Sequence, residues 1–199
     1  FQFIKYLFFG VLSLLMLGAI IFGALVKSSL PKEGGELVTS KISEEVIIYK
    51  DSWGIPHIKA QNKRDAIFAY GYTVAKDRLF QMDLQRRLSQ GKLSELLGAD
   101  LVEIDVMFRT YLFKNWAENY LSSSSLGEES LHYVNAFVEG VNHFVETGEK
   151  PFEYYLLNAN VEPFSALDVA SMTAYMAFTF MDGIRFDGLY TMLKEKVGE

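Results

Sequence analysis

The sequence predicts an α+β protein that is mostly helical and is preceded by one transmembrane helix. Three observations predict this class: an uncharged apolar run near the N-terminus, one short stretch of β-forming residues, and apolar residues at helical spacing through most of the rest. We therefore interpret residues 1–27 as a membrane segment, residues 28–43 as a spacer, and residues 44–199 as a single domain.

The apolar run covers residues 6–26 and contains no charged side chain. At about 1.5 Å per residue, a helix over this run crosses a hydrocarbon core roughly 30 Å thick. Lys5 and Lys27 flank it, so the segment is either a cleaved secretory signal or an uncleaved signal anchor. We favour the anchor, because the run exceeds the usual signal core of about 7–15 residues and no Ala-x-Ala site follows it.

Charge and cysteine content narrow the classes of partner and site. The net charge is −6 without a basic stripe, which argues against nucleic acid as a partner. The chain has no cysteine, which excludes a disulfide framework and a thiolate metal site. A reducing compartment and a bacterial periplasm both fit this composition.

The domain is predicted to begin with a strand, a turn and a second strand. Residues 46–49 are β-forming, residues 53–56 contain the turn formers, and residues 55–59 resume the strand. From Asn62 the apolar period becomes helical, and Gly91 is expected to end that helix. The stripe consists of Phe68, Tyr72, Ala75, Leu79 and Met82.

Further helices are predicted over residues 92–97, 102–120, 131–145 and 166–181. Residues 122–125, a serine run, are expected to form a loop. The segment 166–181 is apolar on almost every side, which predicts a helix buried against other material. Asp182 and Asp187 follow it near Gly183 and Gly188, where we expect a turn.

Catalytic groups are hard to find in these residues. His57, His132 and His143 lack the spacing of a helical metal pair, and no serine lies in a Gly-x-Ser-x-Gly elbow. The charged residues of the first helix form either a catalytic acid cluster or an ion-paired helix face, and we favour the second interpretation. These residues are Asp77, Arg78, Asp83, Arg86 and Arg87.

Five short motifs occur in order between residues 51 and 98. They are Asp51-Ser-Trp-Gly-Ile-Pro-His57-Ile, Asp65-Ala-Ile-Phe-Ala-Tyr-Gly71-Tyr, Ala75-Lys-Asp-Arg-Leu-Phe-Gln-Met82, Arg86-Arg87, and Gly91-Lys-Leu-Ser-Glu-Leu-Leu-Gly98. This order resembles the N-terminal region of the penicillin acylase family. Weaker agreement continues through Asp105, Arg109, Gly140-Val-Asn142, Pro151-Phe-Glu-Tyr, Pro163 and Asp168-Val-Ala170.

The resemblance implies an N-terminal-nucleophile hydrolase with an αββα sandwich fold. Such a precursor cuts itself into an α chain and a β chain, and the serine that begins the β chain attacks the amide carbonyl. By resemblance, this sequence is the mostly helical α-chain portion, so the nucleophile and the oxyanion donors are expected on the β chain. No residue here is assigned a catalytic role.

The resemblance also implies two contributions of the α chain to the active site. Counted without gaps from Asp168, the acyl-pocket positions fall on Ala177, Phe180 and Met181. One calcium-coordinating carboxylate falls on Asp187, where the family usually has Glu. A small shift of alignment would instead nominate Asp182 and bring Arg185 and Phe186 toward the pocket. No organic cofactor is expected.

The resemblance leads us to expect a linear amide hydrolase that acts on a small acylated amine, such as a penicillin or an N-acyl homoserine lactone. The expected partners are the β chain and, through residues 6–26, the bacterial inner membrane, with the body in the periplasm or released there if the segment is cleaved. Two alternatives remain open: an inactive membrane-tethered scaffold subunit, and a small helical membrane protein complete in itself.

Overall fold

The computed structural model describes residues 2–30, 32, 34–123 and 126–198, apart from the side chains of residues 182, 184 and 185. Pro31 and Glu33 of the predicted spacer and Ser124 and Ser125 of the predicted serine loop lie outside these residues. The helices are α1 (Gln2–Ser29), α2 (Lys63–Gln90), α3 (Ser94–Leu97), α4 (Val102–Thr110), α5 (Phe113–Ser122), α6 (Glu128–Thr147), α7 (Phe152–Leu156) and α8 (Ala166–Val197). The strands are β1 (Ile47–Lys50) and β2 (Pro56–Lys59), and a 3-10 turn covers Ala99–Leu101.

The predicted mostly helical class is confirmed, and α1 lies where the apolar run predicted a spanning helix. Nearly all of its side chains are exposed, and it is long and apolar enough to cross a membrane. A signal sequence near the N-terminus has the same properties, so the choice between anchor and signal stays a prediction.

The predicted hairpin is confirmed as an antiparallel pair in which Ile48 lies opposite Ile58. Its turn is organised by the Asp51 carboxylate, whose Oδ1 accepts hydrogen bonds from the backbone N–H groups of Trp53 and Ile55, both at 2.9 Å. Gly54 supplies a φ of 76°, which side chains with a Cβ rarely adopt. The turn residues of the first motif therefore shape the hairpin.

The core of the domain lies where α2 crosses α6. The predicted stripe of α2 packs on the apolar face of α6, and Phe164 closes the cluster. The helices approach closely at two glycines: a Cβ on Gly71 would collide with the carbonyl oxygen of Phe137, and a Cβ on Gly140 with that of Phe68. The buried cluster consists of Ala75, Leu79, Met82, Val138, Val141, Phe144 and Phe164.

One predicted helix boundary agrees with the structure, and another was missed. Gly91 ends α2 as predicted, because its left-handed conformation (φ 64°) lets its N–H bond the carbonyls of Arg87 and Leu88. The single helix predicted over residues 102–120 is wrong, because Leu112 takes a left-handed conformation (φ 59°) that separates α4 from α5. Leucine gives no sequence signal for that conformation.

Asp65 forms a polar junction between the spacer and the start of α2. Its fully buried carboxylate accepts hydrogen bonds from the backbone N–H and the hydroxyl of Ser43, from the N–H of Glu44, and from the side chain of Asn62. Burial by itself would raise the pKa of Asp65. The hydrogen bonds from Asn62, Ser43 and Glu44 outweigh burial and lower the pKa from 3.8 to about 2.

Asp65→Asn is expected to reduce the free energy of unfolding by about 2 kcal/mol near neutral pH, because the variant loses a carboxylate that the folded state stabilises. The folded-state pKa lies below the unfolded value, so this stabilisation is present above pH 3.8 and is lost as pH falls toward about 2. Urea unfolding of both proteins along this pH range measures the difference. A difference that stays constant down to acid pH would contradict the assignment, and Asp100→Asn, at an exposed position, is the control.

Candidate functional site

The N-terminal half of α8 is fixed to the body by polar contacts. Ser165 and Asp168 form a capping box, in which the Asp168 Oδ2 accepts the Ser165 N–H at 2.7 Å. Gln90 of α2 donates to the other Asp168 oxygen at 2.7 Å. Just before the helix, Asn142 of α6 pairs reciprocally with the backbone of Phe164. These bonds set the direction in which α8 leaves the core.

An aromatic cluster holds the next two turns of α8. The Phe178 ring lies 4.9 Å from that of Tyr111 and 5.5 Å from that of Phe113. The Tyr175 ring meets Phe108 edge-on at 5.6 Å. This face of α8 is therefore packed against α4 and α5.

The predicted pocket residues lie on exposed surface of the same helix. Ala177, Phe180 and Met181 follow the three- and four-residue spacing that places side chains on one helix face. Phe180 is 76% exposed and Met181 is 60% exposed. In the part of the chain that the structure describes, the last turns of the segment 166–181 stay exposed at Phe180 and Met181, so the expected burial of this helix against other material stays a prediction there.

The prediction of a turn near Gly183 and Gly188 is wrong, because α8 continues without a break to Val197. Neither glycine adopts a positive φ, and the residues that follow propagate the helix. Asp187 consequently lies on the helix, two turns beyond Phe180 and about 10 Å from it on the same side. The side chains of Asp182 and Arg185 lie outside the described residues.

Asp187 is exposed, and the part of the chain that the structure describes holds no group of three or more metal-ligating side chains. Calcium takes about six to eight oxygen ligands, of which one carboxylate supplies one or two. Asp187 fits the role of a single contributed ligand, and this chain alone does not form a complete calcium site among its described residues. The calcium assignment therefore stays a prediction.

A buried charge network connects α2 to α7. The Asp83 carboxylate is fully buried and accepts hydrogen bonds from Arg86 Nε at 2.6 Å, Arg87 Nε at 3.1 Å and the Tyr154 hydroxyl at 2.8 Å. Burial and the neighbouring Asp83 charge raise the pKa of Tyr154 well above its usual value. Because each of these groups has a hydrogen-bond partner, we interpret the network as a structural contact between α2 and α7.

Arg86 extends this network to the start of α8. Its guanidinium donates to the carbonyl oxygens of Glu162 at 2.8 Å and Pro163 at 3.1 Å, and it stacks 4.0 Å from the Phe164 ring centre. The predicted ion pairing is thus confirmed for Asp83, Arg86 and Arg87, and the structure shows that all three side chains are buried. Asp77 pairs instead with Lys50 of β1, at 2.8 Å and partly exposed.

Other motif residues have similar structural contacts. The Asp105 carboxylate accepts hydrogen bonds from the N–H groups of Leu93 and Ser94, and Arg109 donates to the carbonyl of Gly91. His57 is exposed and lies 3.1 Å from Asp51, whereas His143 is buried between the Phe68 and Tyr72 rings. These contacts give the Asp105 and Arg109 side chains structural roles.

Two cavities lie away from the predicted pocket residues. A cavity of about 380 Å³ lies between the end of α2 and the α4–α5 junction, beside Lys92, Phe108 and Leu112. A second of about 190 Å³ lies beside Arg86, Lys92 and Asp168. Neither is lined by Ala177, Phe180 or Met181.

The sequence model of the penicillin amidase family matches residues 45–199. The chain belongs to the penicillin amidase family. The resemblance carried by the five ordered motifs is thereby confirmed. The match begins just before β1, and it includes the whole of α8 with the exposed Phe180 and Met181.

Curated relatives of this chain are named for different substrates. The chain is 40% identical over 139 residues to the penicillin acylase 2 proenzyme of Pseudomonas sp. (strain SE83), which covers 69% of this chain and 18% of that protein. It is 28% identical over 172 residues to an acyl-homoserine lactone acylase of Pseudomonas aeruginosa, covering 85% of this chain and 20% of that one. The chain therefore spans about a fifth of the length of these relatives.

Among solved structures, the fold is similar to a chain of the thermostable penicillin G acylase from Alcaligenes faecalis. The TM-score is 0.61 at 26% identity, and the match covers 79% of this chain and 86% of that chain. The helical arrangement described above is thus a fold that this family uses.

Proposed function

We propose that this chain is the α-chain part of an amidohydrolase that cleaves linear amides through the N-terminal serine of a β chain from the same precursor. The observation that carries the proposal is the free apolar face of α8, with Phe180 and Met181 exposed in a member of the penicillin amidase family. Large exposed apolar surface indicates an interaction site. The relative named as a proenzyme supports synthesis as a precursor.

In this proposal the chemistry belongs to the β chain. The serine hydroxyl attacks the amide carbonyl, its own α-amine accepts the proton, the amine product leaves, and water releases the carboxylic acid. The α chain supplies one wall of the acyl pocket: Phe180 and Met181 contact an apolar acyl group, and the small Ala177 leaves room for it. The substrate is a small acylated amine of the penicillin or N-acyl homoserine lactone type.

The decisive experiment is acyl-amide hydrolysis by the full precursor. We expect self-cleavage that exposes a new N-terminal serine, and an acyl-enzyme on that serine detected by mass spectrometry. If the precursor neither cleaves itself nor forms an acyl-enzyme, the inactive scaffold subunit becomes the better account.

Phe180→Ala is expected to lower kcat/KM for an apolar acyl substrate by roughly tenfold to a hundredfold, because an aromatic side chain buried against substrate contributes about 1.5–3 kcal/mol. Phe186→Ala is the matched control, since Phe186 is also exposed (66%) on the same helix. If Phe186→Ala has the larger effect, the shifted alignment is correct and Phe180 does not line the pocket.

We further propose that Asp187 supplies one calcium ligand and that the β chain supplies the others. Asp187→Ala is expected to lower the calcium content of the purified enzyme and the yield of self-cleavage, because a lost carboxylate removes both charge and ligand oxygens. Asp182→Ala should have a smaller effect. Calcium content by mass spectrometry decides, and negligible effects of both variants would remove both carboxylates as ligands.

The last part of the proposal is attachment to the inner membrane through residues 6–26, with the body in the periplasm. The exposed apolar surface of α1 supports it. Mass analysis of the mature N-terminus would show whether α1 is retained.

A further inference from the structure

The C-terminal end of α1 is packed against α7. The ring of Phe22 meets the ring of Phe152 edge-on, with 5.2 Å between centroids. Ser29, the last residue of α1, is buried. A secretory signal that only delivers a protein has no need of contacts with the folded body, whereas these contacts make the end of α1 part of the fold.

The segment after α1 is tied to the body as well. Lys32 Nζ lies 3.6 Å from the carboxylate of Glu149, which precedes α7. Lys76 of α2 donates a hydrogen bond to the carbonyl of Lys32 at 2.5 Å. The exit of α1 is therefore held on two sides, by the core helix α2 and by the segment that leads into α7.

These contacts place α7 relative to a membrane. Phe22 lies four residues before the end of the uncharged run, or about 6 Å along the helix. If α1 spans the bilayer, Phe22 lies just inside its surface, and Phe152, in contact with it, lies at nearly the same depth.

The outward face of α7 carries the exposed Tyr155 and Leu156 beside Lys150, together with the exposed Glu153. Tyr154 points inward to Asp83, while Tyr155 is 46% and Leu156 is 66% exposed. Lys150 Nζ lies 5.2 Å from the Tyr155 ring centre. Tyrosine is enriched at the level of lipid headgroups, and lysine can extend its charged end to that level.

We propose that α7 lies on the surface of the bilayer, with Tyr155 and Leu156 in contact with lipid. The α1–α7 contact then holds the body in one orientation to the membrane, and Tyr154 joins that contact to the buried network of Asp83. This inference rests on the retention of α1 that forms part of the proposed function.

The test uses the full precursor in native membranes with a benzophenone amino acid placed at Tyr155 or, as the control, at Trp116. The two positions are matched because both are aromatic and their exposed fractions are 46% and 47%, while Trp116 belongs to α5, which packs on α8. After irradiation, we expect lipid adducts at Tyr155 several-fold above those at Trp116, detected by peptide mass. Equal lipid labelling, or adducts at Tyr155 that are only to protein, would overturn the proposal.

The same samples separate this inference from the proposed enzyme function. Loss of α1 from the mature protein together with retained amide hydrolysis would overturn the membrane contact and leave the enzyme standing. Lipid labelling at Tyr155 in a precursor without hydrolysis or self-cleavage would support the membrane contact and reject the enzyme.

Discussion

Asp83→Asn is expected to destabilise the protein by about 3–5 kcal/mol, which is the usual cost of removing one partner from a buried ion pair. Asp83 is fully buried and neutralises Arg86 and Arg87, whose side chains are only 6% and 9% exposed. Asparagine keeps the shape of aspartate but removes its charge. Among the described residues, the carboxylate partners that remain are Asp168 for Arg86, at 3.9 Å, and the exposed Glu95 for Arg87, at 3.5 Å.

Chemical denaturation of the full precursor measures this loss, and the yield of self-cleavage reports its consequence for the proposed enzyme. The matched control is Asp77→Asn, on the same helix, where the carboxylate is 33% exposed and pairs with Lys50. Surface ion pairs contribute about 0–1 kcal/mol, so this variant should be nearly neutral. Similar losses for the two variants would show that the Asp83 network does not hold the fold.

Gly140→Ala is expected to cost about 3 kcal/mol, at the upper end of the range for overpacking, because the obstacle is backbone. The added Cβ would meet the carbonyl of Phe68 and the amide nitrogen of Tyr72 on α2. Neither atom can move aside by a change of rotamer, so α2 and α6 must separate along their contact.

Gly71→Ala places its Cβ against the carbonyl of Phe137 at the same crossing. Since one separation of the helices relieves both collisions, the double variant should lose less stability than the sum of the two single losses. Gly127→Ala, at the N-cap of α6 where a Cβ meets nothing within 4 Å, is the control and should cost only about 0.5–1 kcal/mol, because alanine is a poorer N-cap than glycine. Simple additivity at Gly71 and Gly140 would argue against a shared helix crossing.

The order of elements could be predicted from the sequence because it depends on local patterns. A β-forming run and turn residues predicted the hairpin, helical spacing predicted α2 and α6, and Gly91 predicted the end of α2. The break at Leu112 could not be predicted in this way, because a left-handed leucine is stabilised by its tertiary neighbours and not by its own preference.

For the candidate site too, some features could be predicted from the sequence and others could not. The ordered motifs determined the family, and with it the expected positions Ala177, Phe180, Met181 and Asp187. Spacing along α2 also indicated that Asp83 pairs with Arg86 and Arg87.

Only the tertiary structure decided which of these charges are buried and where α8 lies free. The Tyr154 hydroxyl reaches Asp83 across 71 positions of sequence, and no local pattern encodes such a contact. The apolar composition of α8 predicted burial. Composition indicates that a surface is covered, but it does not indicate which chain covers it. In this chain the turns of α8 that carry Tyr175 and Phe178 pack on Phe108 and Tyr111, while Phe180 and Met181 remain exposed.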